Sequence, residues 1–154
     1  PEYDILHIAA HGLYNDLEPM RSSIVLSQTG KSGFEDGFLE AREIARLKLK
    51  ARMAILSACE TGRGQVRDGE GIIGLPYALF VAGCPTTIVS QWNVDAESTA
   101  DLMIALHTNL NQRKTHLSKA EALQKAAVSL ITSKNDRFSH PFFWAGFIAF
   151  GKAD

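Results

Sequence analysis

Two residues with the chemistry for thiol catalysis close two similar apolar stretches. Residues 53–56 lead through Ser57 and Ala58 to Cys59, and the turn Glu60-Thr61-Gly62-Arg63-Gly64 follows. Ile5-Leu6-His7-Ile8-Ala9-Ala10 leads in the same way to His11, and Gly12 follows. An apolar run that ends on a reactive side chain and a glycine turn is how a buried strand delivers one group to the rim of a sheet. If the two strands are parallel neighbours, His11 and Cys59 emerge at one edge. There a histidine can take the thiol proton and return it to a leaving amine. Parallel sheets gather their active sites at the carboxyl ends of the strands, which is where both residues fall. Backbone N–H groups at Cys59 and Gly12 are candidates for an oxyanion hole, and such dipoles lower a thiol's pKa.

Other readings of these residues are weaker. A free cysteine is most often a buried structural residue, and Cys84, between a helix end and Pro85, reads that way. His7 and His11 have the spacing of a zinc pair on a helix, but the stretch reads as a strand. There, positions four apart lie about 13 Å from each other, too far to share a metal. No metal and no cofactor is expected. Gly62 and Gly64 lack the Gly-Lys-Ser/Thr ending and the Gly-x-Gly-x-x-Gly spacing of phosphate loops. His107, His116 and His140 have no partner evident in the sequence and read as surface or core histidines.

The chain of 154 residues is 45% hydrophobic and 21% charged, ordinary for a globular domain, and its length suits a single domain over residues 1–154. A formal charge of −1 gives no basic surface for nucleic acid or an anionic membrane. No apolar run approaches the roughly 18 residues of a spanning helix. Two cysteines are too few for a disulfide framework, and a catalytic thiol must stay reduced, so a cytoplasmic setting is expected. The chain starts at Pro1 and enters a strand almost at once, so a domain cut from a longer protein, its C-terminal part, or a processed fragment is expected.

The elements that must position these residues alternate between strand and helix. Strands are expected at residues 3–10 (buried on both faces), 23–27, 53–56, 86–91 and 142–151, with residues 37–39 returning as a hairpin. Helices are expected at 40–47, 72–82, 99–110 and from Ser118 to about 131. Asp95 or Ser98 caps the third, and Ser118 with Glu121 forms a capping box on the fourth. Pro76 belongs to the first turn of the second helix or kinks it, and Gly83 closes that helix. Residues 61–71 read as a charged, glycine-rich loop. Such alternation argues for a mainly parallel α/β sheet.

Several literal motifs then carry a resemblance. They are His11-Gly12, Ser57-Ala58-Cys59-Glu60-Thr61-Gly62, Gly69-Glu70-Gly71-Ile72, Ala82-Gly83-Cys84-Pro85, Gln91-Trp92-Asn93-Val94-Asp95 and His140-Pro141-Phe142-Phe143-Trp144-Ala145-Gly146-Phe147. In this order they resemble the CHAT domain, a caspase-like cysteine peptidase module found with TPR repeats, over nearly the whole chain. The His11–Cys59 separation of 48 residues matches the caspase pattern, with histidine about 50 residues upstream. Cys59-Glu60-Thr61-Gly62 departs from the caspase signature and favours the CHAT and separase side. The resemblance implies a caspase-like three-layer α/β/α sandwich with a mainly parallel sheet, and family members usually carry further strands before the histidine strand. This chain starts at the histidine strand, so those N-terminal strands are expected to have been cut away or replaced by another segment, and a partner segment or a homo-oligomer is expected across the first strand's edge.

It further implies a cysteine endopeptidase with His11 as general base and Cys59 as nucleophile. Its substrate is a protein or peptide, and a TPR region or another protein segment regulates it. In separase-like relatives an acidic residue after the third strand meets a basic P1 side chain. Asp95 is the nearest match, the residue directly after Trp92 is Asn93, and Asp68 and Glu70 are second choices. The other function class is a catalytically silent caspase-like module for assembly or signalling. The presence of both His11 and Cys59 favours the peptidase, and no Gly-x-Ser-x-Gly elbow supports a generic α/β hydrolase.

Overall fold

The computed structural model describes residues 3–28, 36–57, 65–67, 71–112 and 116–152. Its centre is a four-stranded sheet in the order β1-β5-β8-β9. The elements run β1 (Ile5–Ile8), β2 (His11–Leu13), β3 (Ser23–Val25), β4 (Phe38–Glu40), α1 (Ala41–Ile44), β5 (Met53–Leu56), β6 (Gln65–Arg67), β7 (Gly71–Ile73), α2 (Leu75–Val81), β8 (Thr86–Ser90), α3 (Ala96–Leu110), α4 (Lys119–Ile131) and β9 (Phe147–Gly151). β1, β5 and β8 are parallel, and β9 closes the far edge antiparallel to β8.

Side chains two apart on a strand share a face, and β5 uses both. Met53 and Ile55 enter one core with Leu102 and Leu106 of α3 and Ala122, Ala126 and Leu130 of α4. Ala54 and Leu56 enter another with Ile44 of α1 and Leu75, Ala78 and Leu79 of α2. The result is three layers, with α1 and α2 on one face of the sheet and α3 and α4 on the other. All four residues of β5 and all five of β8 are buried, as expected of strands covered on both sides.

Several expectations change in detail. β1 is an edge strand, only half-buried, with His7 exposed, because among the described residues it pairs with β5 alone. His11 does not end that strand. It opens β2, which pairs with β3 and β4 in a separate antiparallel sheet. β6 falls in the region expected as a glycine-rich loop and β7, its antiparallel partner, takes up the start of the expected second helix, so α2 begins only at Leu75. Pro76 sits in its first turn, where its missing N–H costs nothing, and Gly83 follows the helix at φ +103°. The final strand starts at Phe147 because Pro141–Phe143 form a single 3-10 turn, capped by His140 Nδ1 accepting from Phe142 N–H. No helix among the described residues is long and apolar enough to cross a membrane.

Candidate active site

β1 and β5 set the geometry of the site. Their parallel register pairs Ile5 with Met53 and Ile8 with Leu56, and the ladder runs one residue further, with Ser57 N–H donating to Ile8 O at 2.9 Å. The register joins residues 48 positions apart, the same interval that separates His11 from Cys59. Cys59 lies outside the described residues, as do Asp68 and Glu70. His11, at the start of β2, is exposed.

A cavity of about 530 Å³ opens beside the carboxyl ends of β1 and β5, beneath the first half of α3. His7, His11 and Ser57 supply polar groups to its wall, while Ala96, Ala100 and Met103 of α3 make an apolar one. That volume lies within the range of small-ligand sites. His11 thus faces the same space as Ser57, which precedes Cys59 by two residues in the sequence. Gly12 is half-buried and level with Ile24 of β3.

The residues brought into direct contact here are Ser57, His7 and His107. Ser57 Oγ and His7 Nε2 are 2.9 Å apart, and His7 Nδ1 and His107 Nε2 are 3.0 Å apart. The two rings stack with centroids 5.1 Å apart. Although His7 keeps contact with solvent, desolvation pushes its pKa below the ordinary imidazole value, and the neighbouring His107 adds to this by disfavouring a second positive charge. His7 therefore favours its neutral form.

Asp95 caps α3, as its position predicts. Its Oδ2 accepts from Ser98 N–H at 3.0 Å, and its Oδ1 accepts from Arg137 Nη2 at 2.7 Å. The Ser98 backbone hydrogen bond, with support from the Ser98 hydroxyl and Arg137, holds this carboxyl below the usual carboxylate range. Arg137 also reaches Glu97 and lies 4.7 Å from the centroid of the Phe143 ring. Trp92 donates its indole N–H to Phe142 O, and Gln91 N–H donates to Gly146 O at 2.8 Å. A Cβ at Gly146 would stand 2.8 Å from Val94 Cγ1 and 3.3 Å from the Trp92 ring. The loop after β8 and the segment before β9 are therefore packed together, and a side chain at Gly146 would have to displace Val94 and crowd the Trp92 ring.

With the layers and the His11 cavity in view, comparison with known proteins is decisive for the family. The CHAT domain profile matches residues 1–152. This chain belongs to the CHAT domain family. The CHAT domain is 28% identical over 114 residues to tetratricopeptide repeat protein 28 of Mus musculus and 27% identical over 114 residues to that of Homo sapiens. In each case the match covers 73% of this chain and 4% of the relative, so the chain spans a small fraction of those proteins. Among solved structures, the CHAT domain resembles a chain of the Saccharomyces cerevisiae separase–securin complex, with a TM-score of 0.58 and 18% identity. That match covers 79% of this chain and 8% of the other, and it establishes a shared caspase-like fold.

Sequence reasoning missed Ser57, His7 and His107 as a group. One signal was present: Thr99, Met103 and His107 follow at intervals of four, on the α3 stripe that faces β1. Among the described residues, no cluster of three His, Cys, Asp or Glu side chains is placed to share a metal ion.

Proposed function

We propose that this CHAT domain is a cysteine endopeptidase, with Cys59 as nucleophile and His11 as general base. The supporting observation is the β1–β5 register, whose interval equals the His11–Cys59 separation, beside a cavity that His11 lines. In this reading His11 takes the Cys59 proton, and the thiolate sulfur adds to the scissile carbonyl. The N–H groups of Gly12 and Cys59 meet the developing oxyanion. His11 returns its proton to the leaving amine, and water releases the acyl group. A reducing, cytoplasmic setting suits such a thiolate.

Substrate choice rests on an acidic contact for a basic P1 side chain. Asp95 already accepts a guanidinium, that of Arg137, so a P1 arginine bound there takes Arg137's place. Asp68 and Glu70 are the alternative acids, and Trp92 flanks the loop. Regulation by a TPR region fits the relatives, which are tetratricopeptide repeat proteins far longer than this chain. The half-buried edge of β1 is where a regulatory segment or a second copy would add a strand.

The test is labelling by peptide acyloxymethyl ketones with arginine, lysine or alanine at P1, mapped by mass spectrometry. Wild type should be labelled at Cys59, faster by the basic probes. Cys59→Ala should abolish the adduct, and His11→Ala should slow it by about 10²-fold or more. Equal labelling of Cys59 in wild type and His11→Ala would overturn the dyad. Equal rates for arginine and alanine probes would overturn the basic P1 preference.

A further inference from the structure

We propose that Ser57, His7 and His107 form a second nucleophilic site, separate from the cysteine, that hydrolyses esters of short apolar acids through a serine acyl-enzyme. The inference does not rest on the role of Cys59, because its three residues are all placed in the structure and linked by two hydrogen bonds.

The geometry is that of an activated hydroxyl. A nucleophile, a base and a group that orients the base must lie in sequence within hydrogen-bond reach. Ser57 Oγ to His7 Nε2 is 2.9 Å, and His7 Nδ1 to His107 Nε2 is 3.0 Å. In the neutral tautomer of His7 protonated at Nδ1, that N–H donates to His107 Nε2. The Nε2 lone pair is then left to accept from the Ser57 hydroxyl. His107 is the positioning residue: when its Nε2 is the acceptor, it holds His7 in the tautomer that makes it a base toward Ser57.

Each member is carried by a different rigid element. His7 is level with Ile55 in the β1–β5 ladder, and Ser57 follows two residues later on the same strand face. Ser57 is pinned by its own N–H to Ile8 O, and His107 stands near the end of the fifteen-residue α3. The pair therefore faces the same α3 wall that closes the cavity.

The cavity sets the substrate class. Ser57 and His7 both line the space of about 530 Å³, whose other wall is Ala96, Thr99, Ala100 and Met103, with the Thr99 hydroxyl as its one polar group. A short aliphatic acyl chain fits the alanine and methionine side chains of that wall, and among the described residues no Asp, Glu, Lys or Arg lines the cavity. The orienting group is an imidazole rather than a carboxylate, and it carries no negative charge to stabilise the imidazolium. This favours esters, whose alkoxide leaves more readily than an amide nitrogen.

The steps balance without a co-reactant beyond water. Ser57 Oγ bonds to the acyl carbon as its proton passes to His7 Nε2. The ester C–O bond breaks, and the alkoxide takes that proton. Water then repeats the sequence on the acyl-serine and releases the acid. The lowered pKa of His7 keeps the base free near neutral pH.

The experiment uses the chain carrying Cys59→Ala, which removes the thiol. It is treated with a fluorophosphonate and mapped by mass spectrometry, and hydrolysis of p-nitrophenyl butyrate is followed in parallel. The expected result is an adduct on Ser57, with hydrolysis falling about 10²-fold or more in Ser57→Ala and in His7→Gln. His107→Gln should lower the rate and move the acidic limb of the pH profile upward, because desolvation, the larger cause, still depresses His7 but the added effect of His107 is gone. A merely structural role for His107 would leave that limb in place. The adduct is mapped on an unmutated serine, so the outcome does not depend on how Ser57→Ala folds. No adduct, an adduct confined to other serines, or hydrolysis unchanged in Ser57→Ala would overturn the proposal.

Discussion

Asp95 and Arg137, 42 residues apart, are joined by a 2.7 Å contact between Oδ1 and Nη2, while the other Asp95 oxygen caps α3 through Ser98 N–H. One carboxylate thus serves a helix end and a guanidinium at once. If it also recognises a basic P1 side chain, Arg137 competes for the position. Arg137→Gln should speed labelling of Cys59 by the arginyl probe by up to about fivefold, the worth of a half-exposed ion pair. Asp95→Ala should slow it. Opposite or null changes in both variants would restrict Asp95 to its capping role.

The cap itself predicts a pH dependence. The Asp95 pKa is lowered in the folded protein, chiefly by the Ser98 N–H, so its contribution is complete above the unfolded carboxylate value of about 3.9. That contribution is lost as the pH falls through the lowered folded value. Asp95→Asn keeps a hydrogen-bond acceptor but no charge. The stability difference between wild type and Asp95→Asn, measured by denaturant titration, should therefore shrink toward acid pH. A difference that grows on acidification would refute this.

His7 has the opposite charge type and loses stability in a different window. Its folded pKa lies below the ordinary value, so the unfolded chain binds the proton more tightly. Stability should fall as pH drops below the unfolded value of about 6.5 and level off below the folded one. In His7→Gln that portion of the slope should vanish. Denaturation midpoints at several pH values between about 5 and 8 decide it, and parallel curves for the two proteins would count against the desolvated imidazole.

Burial in α3 separates two isoleucine-sized side chains on one helix. Leu106 is 0% exposed and belongs to the core that holds Ile55 and Ile88, whereas Ile104 is 66% exposed. Leu106→Ala should cost about 2–5 kcal/mol, and Ile104→Ala should stay within about 0.5 kcal/mol. Equal losses would mean that α3 packs on the sheet through a different stripe.

What the sequence made legible follows from how local each signal is. β5 and β8 were readable because strands covered on both faces are apolar without alternation, and Met53–Leu56 and Thr86–Ser90 show that. The Ser118–Glu121 box was readable because both partners lie within one turn. β1 looked equally apolar, yet its depth depends on a neighbour that the pattern cannot show. β6–β7 was hidden by its glycines and charges, which satisfy a hairpin as well as a loop. The glycine after His11 suggested that His11 closes the first strand, but it opens β2, a place that depends on pairing with Val25. Ser57, His7 and His107 were not legible, because their bonds span 50 and 100 residues and depend on strand order and on where α3 crosses.

The antiparallel closure by β9 depends on Gly151. It sits at φ +94°, and a Cβ there would fall 2.1 Å from Pro85 O. Neither the torsion nor the space admits another residue without backbone movement. Gly151→Ala should destabilise by more than about 1 kcal/mol and loosen the β8–β9 ladder. Amide exchange at Phe147–Gly151 should speed up more than exchange in β5. Unchanged protection in β9 would show that the strand accommodates the side chain.

The two thiols should differ in reactivity, and this separates a nucleophile from a structural cysteine. Cys84 is 1% exposed, and its Sγ–H donates to Thr86 O at 3.3 Å. Burial pushes its pKa up, outweighing the Thr86 contact and the more distant Lys119 charge. Little thiolate forms there near neutral pH, and a reagent reaches the sulfur only when the α2–β8 core opens. Titration with an aromatic disulfide under native conditions should therefore show one fast thiol in wild type and none in Cys59→Ala, with Cys84 reacting only after denaturation. In Cys84→Ala the fast phase should be unchanged. If Cys84 reacted as quickly as Cys59, the selective activation that the endopeptidase reading requires would be absent. If neither reacted, Cys59 would be as protected as its structural counterpart, and the dyad would lack an available nucleophile.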